Sequence, residues 1–229
     1  VAITSALSGL RADTPDKLIL DAGALYVNFN VTKFLAADTP AGQALAQAVL
    51  STNTWTDPNG DTVAPRKLGA TRGGTTITLN KTERQIEVDG RRTTVKNFQR
   101  VDMIEPSIST ALIEIADHET LALALGSATT TSYTNFRTVR PNLYPVPEDY
   151  LGNIALVATI NGARTPNGDP VPAVVIMENA RVNQVQDISF VDKNETVMNV
   201  TIVAHALAED AFSIPMYVIL PKLDGMGYY

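Results

Sequence analysis

The sequence has no cysteine in its 229 residues, which removes disulfide frameworks, thiolate zinc sites, iron–sulfur ligation and cysteine nucleophiles together. Histidine is nearly missing too. His118 and His205 lie far apart, and neither belongs to an HExxH or HxH pattern. Chemistry at neutral pH leans on His, so much of the enzyme catalogue is disfavoured. Aromatic residues make up 6% and are scattered, which speaks against a carbohydrate platform of rings. No stretch approaches the ~18 consecutive apolar residues that span a bilayer. The amino end, Val1 to Asp16, lacks the basic run and apolar block of a secretory signal.

What is present is enough apolar material for a core. Hydrophobic residues are 45% and charged residues 18%, and 24.6 kDa fits one large β domain over residues 1–229. Thr, Val and Ile recur in short alternating runs between turn signals, the pattern of antiparallel β structure. Lys17 to Val31 predicts the first strands, with Gly23 as a bulge or bend. Asp38-Thr39-Pro40 opens a helix to Leu50, with Ala41, Leu45, Ala48 and Val49 on one face. Residues 51–72 read as a long polar loop holding the β-turn pattern Asp57-Pro58-Asn59-Gly60, either functional or simply a surface segment.

Residues 73–115 predict strands and a hairpin, turned at Asp89-Gly90, with Pro106 at an edge or bulge. Asp117 caps a second helix, 117–126, that Gly126 stops. Ser127 to Tyr150 reads as a Pro-punctuated connection wandering over a surface. Residues 151–221 alternate cleanly and predict closing hairpins around Asn161-Gly162, Pro166 to Asp169 and Asp192 to Glu195.

The net charge of −6 is unevenly laid out. Arg66 to Arg100 carries nine Lys or Arg against Glu83, Glu87 and Asp89, a net +6, so the remainder is −12. Such asymmetry fits a nucleic-acid footprint, a basic face that meets the acidic face of a second copy, or a merely solvated hairpin. Phe98 is the only aromatic in this segment, which argues against a base-stacking platform.

No motif brings catalysis with it. Gly69 to Thr75 is glycine-rich but runs into a β pattern without the Gly-Lys-Ser/Thr of a phosphate loop, and reads as a tight bend. No Gly-x-Ser-x-Gly elbow occurs. Glu83 and Glu87 stand among arginines, where surface salt links explain them. The Asn-x-Thr triplets at Asn30, Asn80, Asn194 and Asn199 are expected by chance in a Thr-rich chain. Trp55, alone in a polar loop, calls for a partner surface from its own core or from another subunit.

Three stretches, Leu68 to Ile77, Arg84 to Gly90 and Ile108 to Glu114, taken with Leu151 to Ala158, Ala173 to Ala180 and Asp192 to Glu195, resemble the major tail tube proteins of long-tailed (siphovirus-type) bacteriophages. The resemblance spans roughly Leu18 to Leu220. It implies a mainly β fold, a sandwich or barrel-like antiparallel core with one or two short flanking helices and long loops, shared with contractile-tail and type VI secretion tubes. It also implies a non-enzymatic, cofactor-free virion protein, made in the host cytoplasm. Its copies would form stacked, commonly hexameric rings around a tape-measure protein, capped by a tail terminator. DNA would pass through the lumen without specific binding.

Unlike patches on one chain close into rings or propagate as filaments. On that basis Trp55, Asp57, Arg66, Lys67, Arg72, Arg84, Arg91 and Arg92 are the candidate subunit-contact residues. The rival readings are a β-sandwich module that binds carbohydrate or a receptor, and a hydrolase in a jelly-roll frame. The first lacks an aromatic platform, and the second lacks any triad or ligand cluster.

Overall fold

The structure, a computed structural model, describes residues 18–19, 23–29, 55–56, 62–90, 92–114, 116–146, 149–164, 170–189 and 195–220. The described chain is mainly β, with antiparallel sheets and one α-helix. It divides into two compact units, one of residues 1–68, 152–176 and 217–229, the other of 69–151 and 177–216. The helix expected over Pro40 to Leu50 lies outside the described residues.

The first unit holds β1 (Ala24–Val27), β2 (Trp55–Thr56), β3 (Thr62–Val63), β4 (Arg66–Lys67), β9 (Ile154–Arg164), β10 (Pro170–Met177, its last residue in the second unit) and β13 (Met216–Ile219, its first residue in the second unit). Its main sheet runs β13-β10-β9-β1-β4. Gly23, at φ +76, leads into β1 in a backbone conformation that glycine adopts readily. Leu25, Tyr26 and Val27 are all buried, which puts β1 under cover on both faces. Tyr26, Phe29, Ala155, Val174 and Ile176 form the core cluster, with Ala24, Val157 and Ile219 against it. The segment read as an irregular loop contains paired strands: β2 meets β3 at Trp55↔Val63, and β4 meets β1 at Val27↔Arg66. The β-turn pattern expected at Asp57 to Gly60 lies outside the described residues.

The second unit is built on a sheet of order β11-β12-β6-β5, from β5 (Thr71–Gln85), β6 (Gln99–Leu112), β11 (Arg181–Ser189) and β12 (Val197–Val203). Alternation decides its two faces. Ile108, Leu112, Met198, Val200 and Ile202 are buried, while Ser109, Asn199 and Thr201 between them are half-buried. Gly73 and Gly74, both at positive φ, create a bulge in β5, where the register shifts between Arg72 and Thr75. The tight bend expected at this glycine patch is therefore a kink inside one continuous strand.

Helix α1 (His118–Ala124) follows β6. Asp117 accepts from the backbone N–H of Glu119 and Thr120 and from the Thr120 hydroxyl at 2.7 Å, so its carboxylate serves the first orphan donors. Gly126, at φ +78, ends the helix with its N–H on the Leu123 carbonyl at 3.0 Å. The connection read as irregular contains a regular hairpin, β7 (Ala128–Ser132) with β8 (Arg137–Pro141). Its β-branched threonines favour a strand, a preference that the prolines after β8 disguise in the sequence.

Two substitutions probe this end of the second unit. Asp117→Ala should cost about 1 kcal/mol and Asp117→Asn much less, since Asn caps equally well. Gly126→Ala should cost more than Asp117→Ala, because it strains φ and places a Cβ 2.7 Å from the Val182 carbonyl oxygen. Thermal melts followed by circular dichroism give the order; a harmless Gly126→Ala would contradict this account of the stop.

Candidate assembly interface

The longest feature of the second unit has too little sheet around it. β12 pairs with β6 only from Leu112 to Ser107, whereas β5 and β6 stay paired out to Gln85↔Gln99. Beyond Ser107 the sheet is reduced to a two-stranded arm. Pro106 sits where this change occurs: it lacks a donor, and there β6 has only β5 as a strand neighbour. Its carbonyl still accepts from Ala204 N–H at 3.1 Å. Asp102 is bulged out of register between Thr82↔Met103 and Glu83↔Val101, which adds twist. At the far end the Ile86 N–H meets the Phe98 carbonyl at 2.8 Å, and the described residues between them, 86–90 and 92–98, form the tip. Asp89-Gly90 is a turn within that tip and not the two-residue hairpin loop its sequence suggests.

The arm exposes apolar and cationic side chains together. Leu79, Val88, Val101 and Met103 are 40–55% exposed. Arg84 lies 3.4 Å from Asp102, and Lys81 contacts Glu83. These surface pairs contribute little stability. A two-stranded ribbon is marginal in water, so the arm depends on its root or on a covering surface.

The residues singled out by charge do not fall in one patch. Arg84 and Arg92 are on the arm. Arg72 sits near the inner end of β5 and bridges Glu195 at 3.0 Å, both side chains well exposed. Arg66 and Lys67 form β4 of the first unit, and Trp55 begins β2 of the same unit. Asp57 and Arg91 lie outside the described residues.

Other features were not foreseen from sequence. The loop Leu207 to Ile214, around a 3-10 turn at Ala208–Asp210, leaves Phe212 fully exposed. It flanks the outer end of the arm's paired ladder across an open depression lined by Arg84, Arg100, Val101, Met103, Phe212 and Ile214. At the tip of the β7–β8 hairpin, Tyr133 and Phe136 stack at 4.7 Å, both exposed. A lone aromatic beside two acids, as at Phe212, was the available signal.

The outer face of the β11-β12-β6-β5 sheet is rich in hydroxyls. Thr76 lies opposite Ser109, and Ser109 bonds Thr201 at 3.1 Å. Its arginines are engaged: Arg72 with Glu195, and Arg181 over the Tyr150 ring at 5.6 Å. Tyr150 also meets His205 edge-on. His205 Nδ1 lies 3.2 Å from the Asn179 carbonyl, which can only accept, so Nδ1 carries the proton. Asn179, at φ +44, returns a bond to the His205 carbonyl, and this reciprocal pair fixes the turn from β10 to β11. His205 thus braces a turn. Among the described residues no three His, Asp or Glu side chains converge as a metal site, and no helix is long and apolar enough to cross a membrane.

No family model matches the sequence, and no curated protein matches it. Among solved structures, the chain is similar to one from the virion of a native gene transfer agent particle, at 8% identity and TM-score 0.34, covering 68% of this chain and 89% of that one. It is also similar to one from the tail of an empty gene transfer agent particle with C6 symmetry, at 10% identity and TM-score 0.36, covering 81% and 92%.

Burial, and secondly the nearby Asp210 carboxylate, hold the Glu178 carboxyl above its ordinary value. A raised carboxyl favours the folded state when protonated, so its contribution is complete in acid and is lost as pH rises through the folded value. Glu178→Gln should therefore melt higher than the parent at neutral pH, with the gain vanishing in acid. A gain that grows on acidification would contradict this sign.

Proposed function

We propose that the chain is a structural subunit of a phage-type tail whose copies assemble head to tail into stacked rings. The observation that carries this reading is the arm: a long apolar and cationic ribbon continuing past the last strand of its own sheet that could shield it. Surface of that kind is stabilised by a second protein surface, and the charge asymmetry of the sequence makes another copy the natural partner. The same sheet ends in β5 on one side and β11 on the other. Pairing β5 of one copy with β11 of the next would remove both edges and close a ring.

In such a ring, the hydroxyl face is the surface suited to the bore. DNA is held by unpaired Lys and Arg, and here Arg72 and Arg181 are already engaged. Neutral hydroxyls would let a duplex slide. The tube reading further assigns the protein to the virion, around a tape-measure protein and beneath a terminator, as the sequence resemblance implies. Six copies per ring is the expectation from that resemblance.

A second reading has one observation in its favour. The Tyr133–Phe136 stack stands beside Thr129, Thr131, Thr138 and Arg140, a ring-plus-hydroxyl surface that suits a sugar. Retention of a glycan by the monomer, lost in Tyr133→Ala, would favour it.

Val88→Asp, and separately Arg91→Gln with Arg92→Gln, test the tube. The monomer's melting should change little, within about 0.5 kcal/mol, since Val88 and Arg92 are exposed. Tubes or rings seen by negative-stain microscopy in the parent should be lost or greatly reduced. Normal tubes from both variants would remove the arm from the interface, and a parent that stays monomeric at every concentration would sink the tube itself.

A further inference from the structure

We infer that the exposed face of the β7–β8 hairpin binds an acidic oligosaccharide, with a sugar on the Tyr133 ring and Arg140 on a sugar carboxylate. This rests on the sugar surface noted above, whose ligand class it names, and it does not require the chain to assemble. Pairing across the hairpin sorts its side chains. Thr129 lies opposite Arg140 and Thr131 opposite Thr138, and the Tyr133 N–H bonds the Phe136 carbonyl at 2.9 Å. Alternation puts these three rungs on one face and Arg137 and Val139 on the other. That other face is occupied. Val139 is half-buried and shares a depression with Leu121 of α1, and Arg137 meets the His118 ring at 2.9 Å. On the first face Thr129, Thr131, Tyr133, Thr138 and Arg140 are all exposed and line one open depression.

The groups along this face suit a saccharide in turn. Tyr133 and Phe136, 55% and 61% exposed, make an apolar end that can cover the C–H face of a sugar ring. Thr131 and Thr138 have no hydrogen-bond partner for their hydroxyls among the described residues, so each can donate and accept. The Thr129 hydroxyl donates to Asn142 Oδ1 at 2.8 Å, and the Asn142 amide donates to Ser127 at 3.2 Å, which holds this rung in place. Arg140 closes the far end without a carboxylate partner among the described residues. From the Tyr133 rung to the Thr129–Arg140 rung is about 14 Å of strand, the reach of an oligosaccharide and not of a single sugar.

Charge decides the sign of the ligand. Residues 120–147 hold Arg137 and Arg140 and no Asp or Glu, in a chain of net charge −6. Asp149, close behind them, accepts from the Val146 N–H at 2.6 Å. One open guanidinium offers its planar fork to one carboxylate. A nucleic acid would need a row of cations for successive phosphates, and Arg137 is already engaged. Hydroxyls beside a single cation therefore favour an acidic sugar.

Isothermal titration calorimetry of the dilute chain with trigalacturonate and with its methyl ester tests the assignment. The two ligands share rings and hydroxyls and differ in charge. The acid should bind about tenfold more tightly than the ester, with the gap narrowing as salt rises. Arg140→Gln should bring the acid down to the ester's affinity. Arg140→Lys should restore only part of the preference, because it lacks the fork. Tyr133→Ala should weaken both ligands by about tenfold. Circular dichroism checks folding, and Tyr133→Thr replaces the alanine variant should that one unfold.

Equal binding of acid and ester would overturn the acidic specificity while leaving a sugar surface. Binding of neither, or tighter binding of a short oligothymidylate, would overturn the sugar assignment as well. Loss of assembly in Tyr133→Ala with no saccharide bound by the parent would make the hairpin a contact between copies instead. The tail reading is decided separately, by whether the arm variants assemble.

Discussion

A two-stranded β ribbon cannot bury its own side chains. Each strand has a single hydrogen-bonding neighbour, and the face of the ribbon is too narrow to form a core. Where β12 lies beside β6, alternation separates the buried Ile108 and Leu112 from the hydroxyls of Ser109 and Thr201. Past Ser107 that third strand ends, and the same alternation leaves Leu79, Val101 and Met103 exposed. The surroundings change along one continuous ladder, while the residue types do not. An arm of this composition fits a chain whose stable form includes a neighbour.

The charge distribution has the same logic. The ribbon carries cations and carboxylates in nearly equal number, and the loop at Glu209 and Asp210 presents carboxylates with an exposed aromatic beside them. Within the sheet, arginines are neutralised by Glu195 or laid over Tyr150. Heterologous contacts need such unlike surfaces, and they also account for the sheet's two open edges, β5 and β11.

Much of the fold was readable from residue types with a single physical meaning. Asp117 and Gly126 bracket α1 because one supplies a capping carboxylate and the other tolerates positive φ. Pro106 marks the end of the third strand's pairing because it cannot donate. The C-terminal strands followed from plain alternation. Reading failed where local signals compete with long-range pairing. Asp89-Gly90 is a strong turn, yet the ladder stops at Gln85↔Gln99, set by how far two strands can stay paired. Thr129 to Thr131 read as part of a surface connection and fold as a strand, because their β-branched run is short and its partner strand, Arg137 to Pro141, comes only after a polar turn. Of the candidate interface, the dense charge of the tip was legible in the sequence. The length of the arm and the exposure of Phe212 were not, since both depend on where a partner strand ends.

The central claim is that the arm is covered by another copy, and amide hydrogen exchange along it measures this directly. Peptides covering Leu79 to Phe98 and Val101 to Met103 should exchange fast in dilute monomer and become strongly protected in the assembled state, while the α1 segment changes little. Arm amides that exchange equally fast before and after assembly would contradict the account.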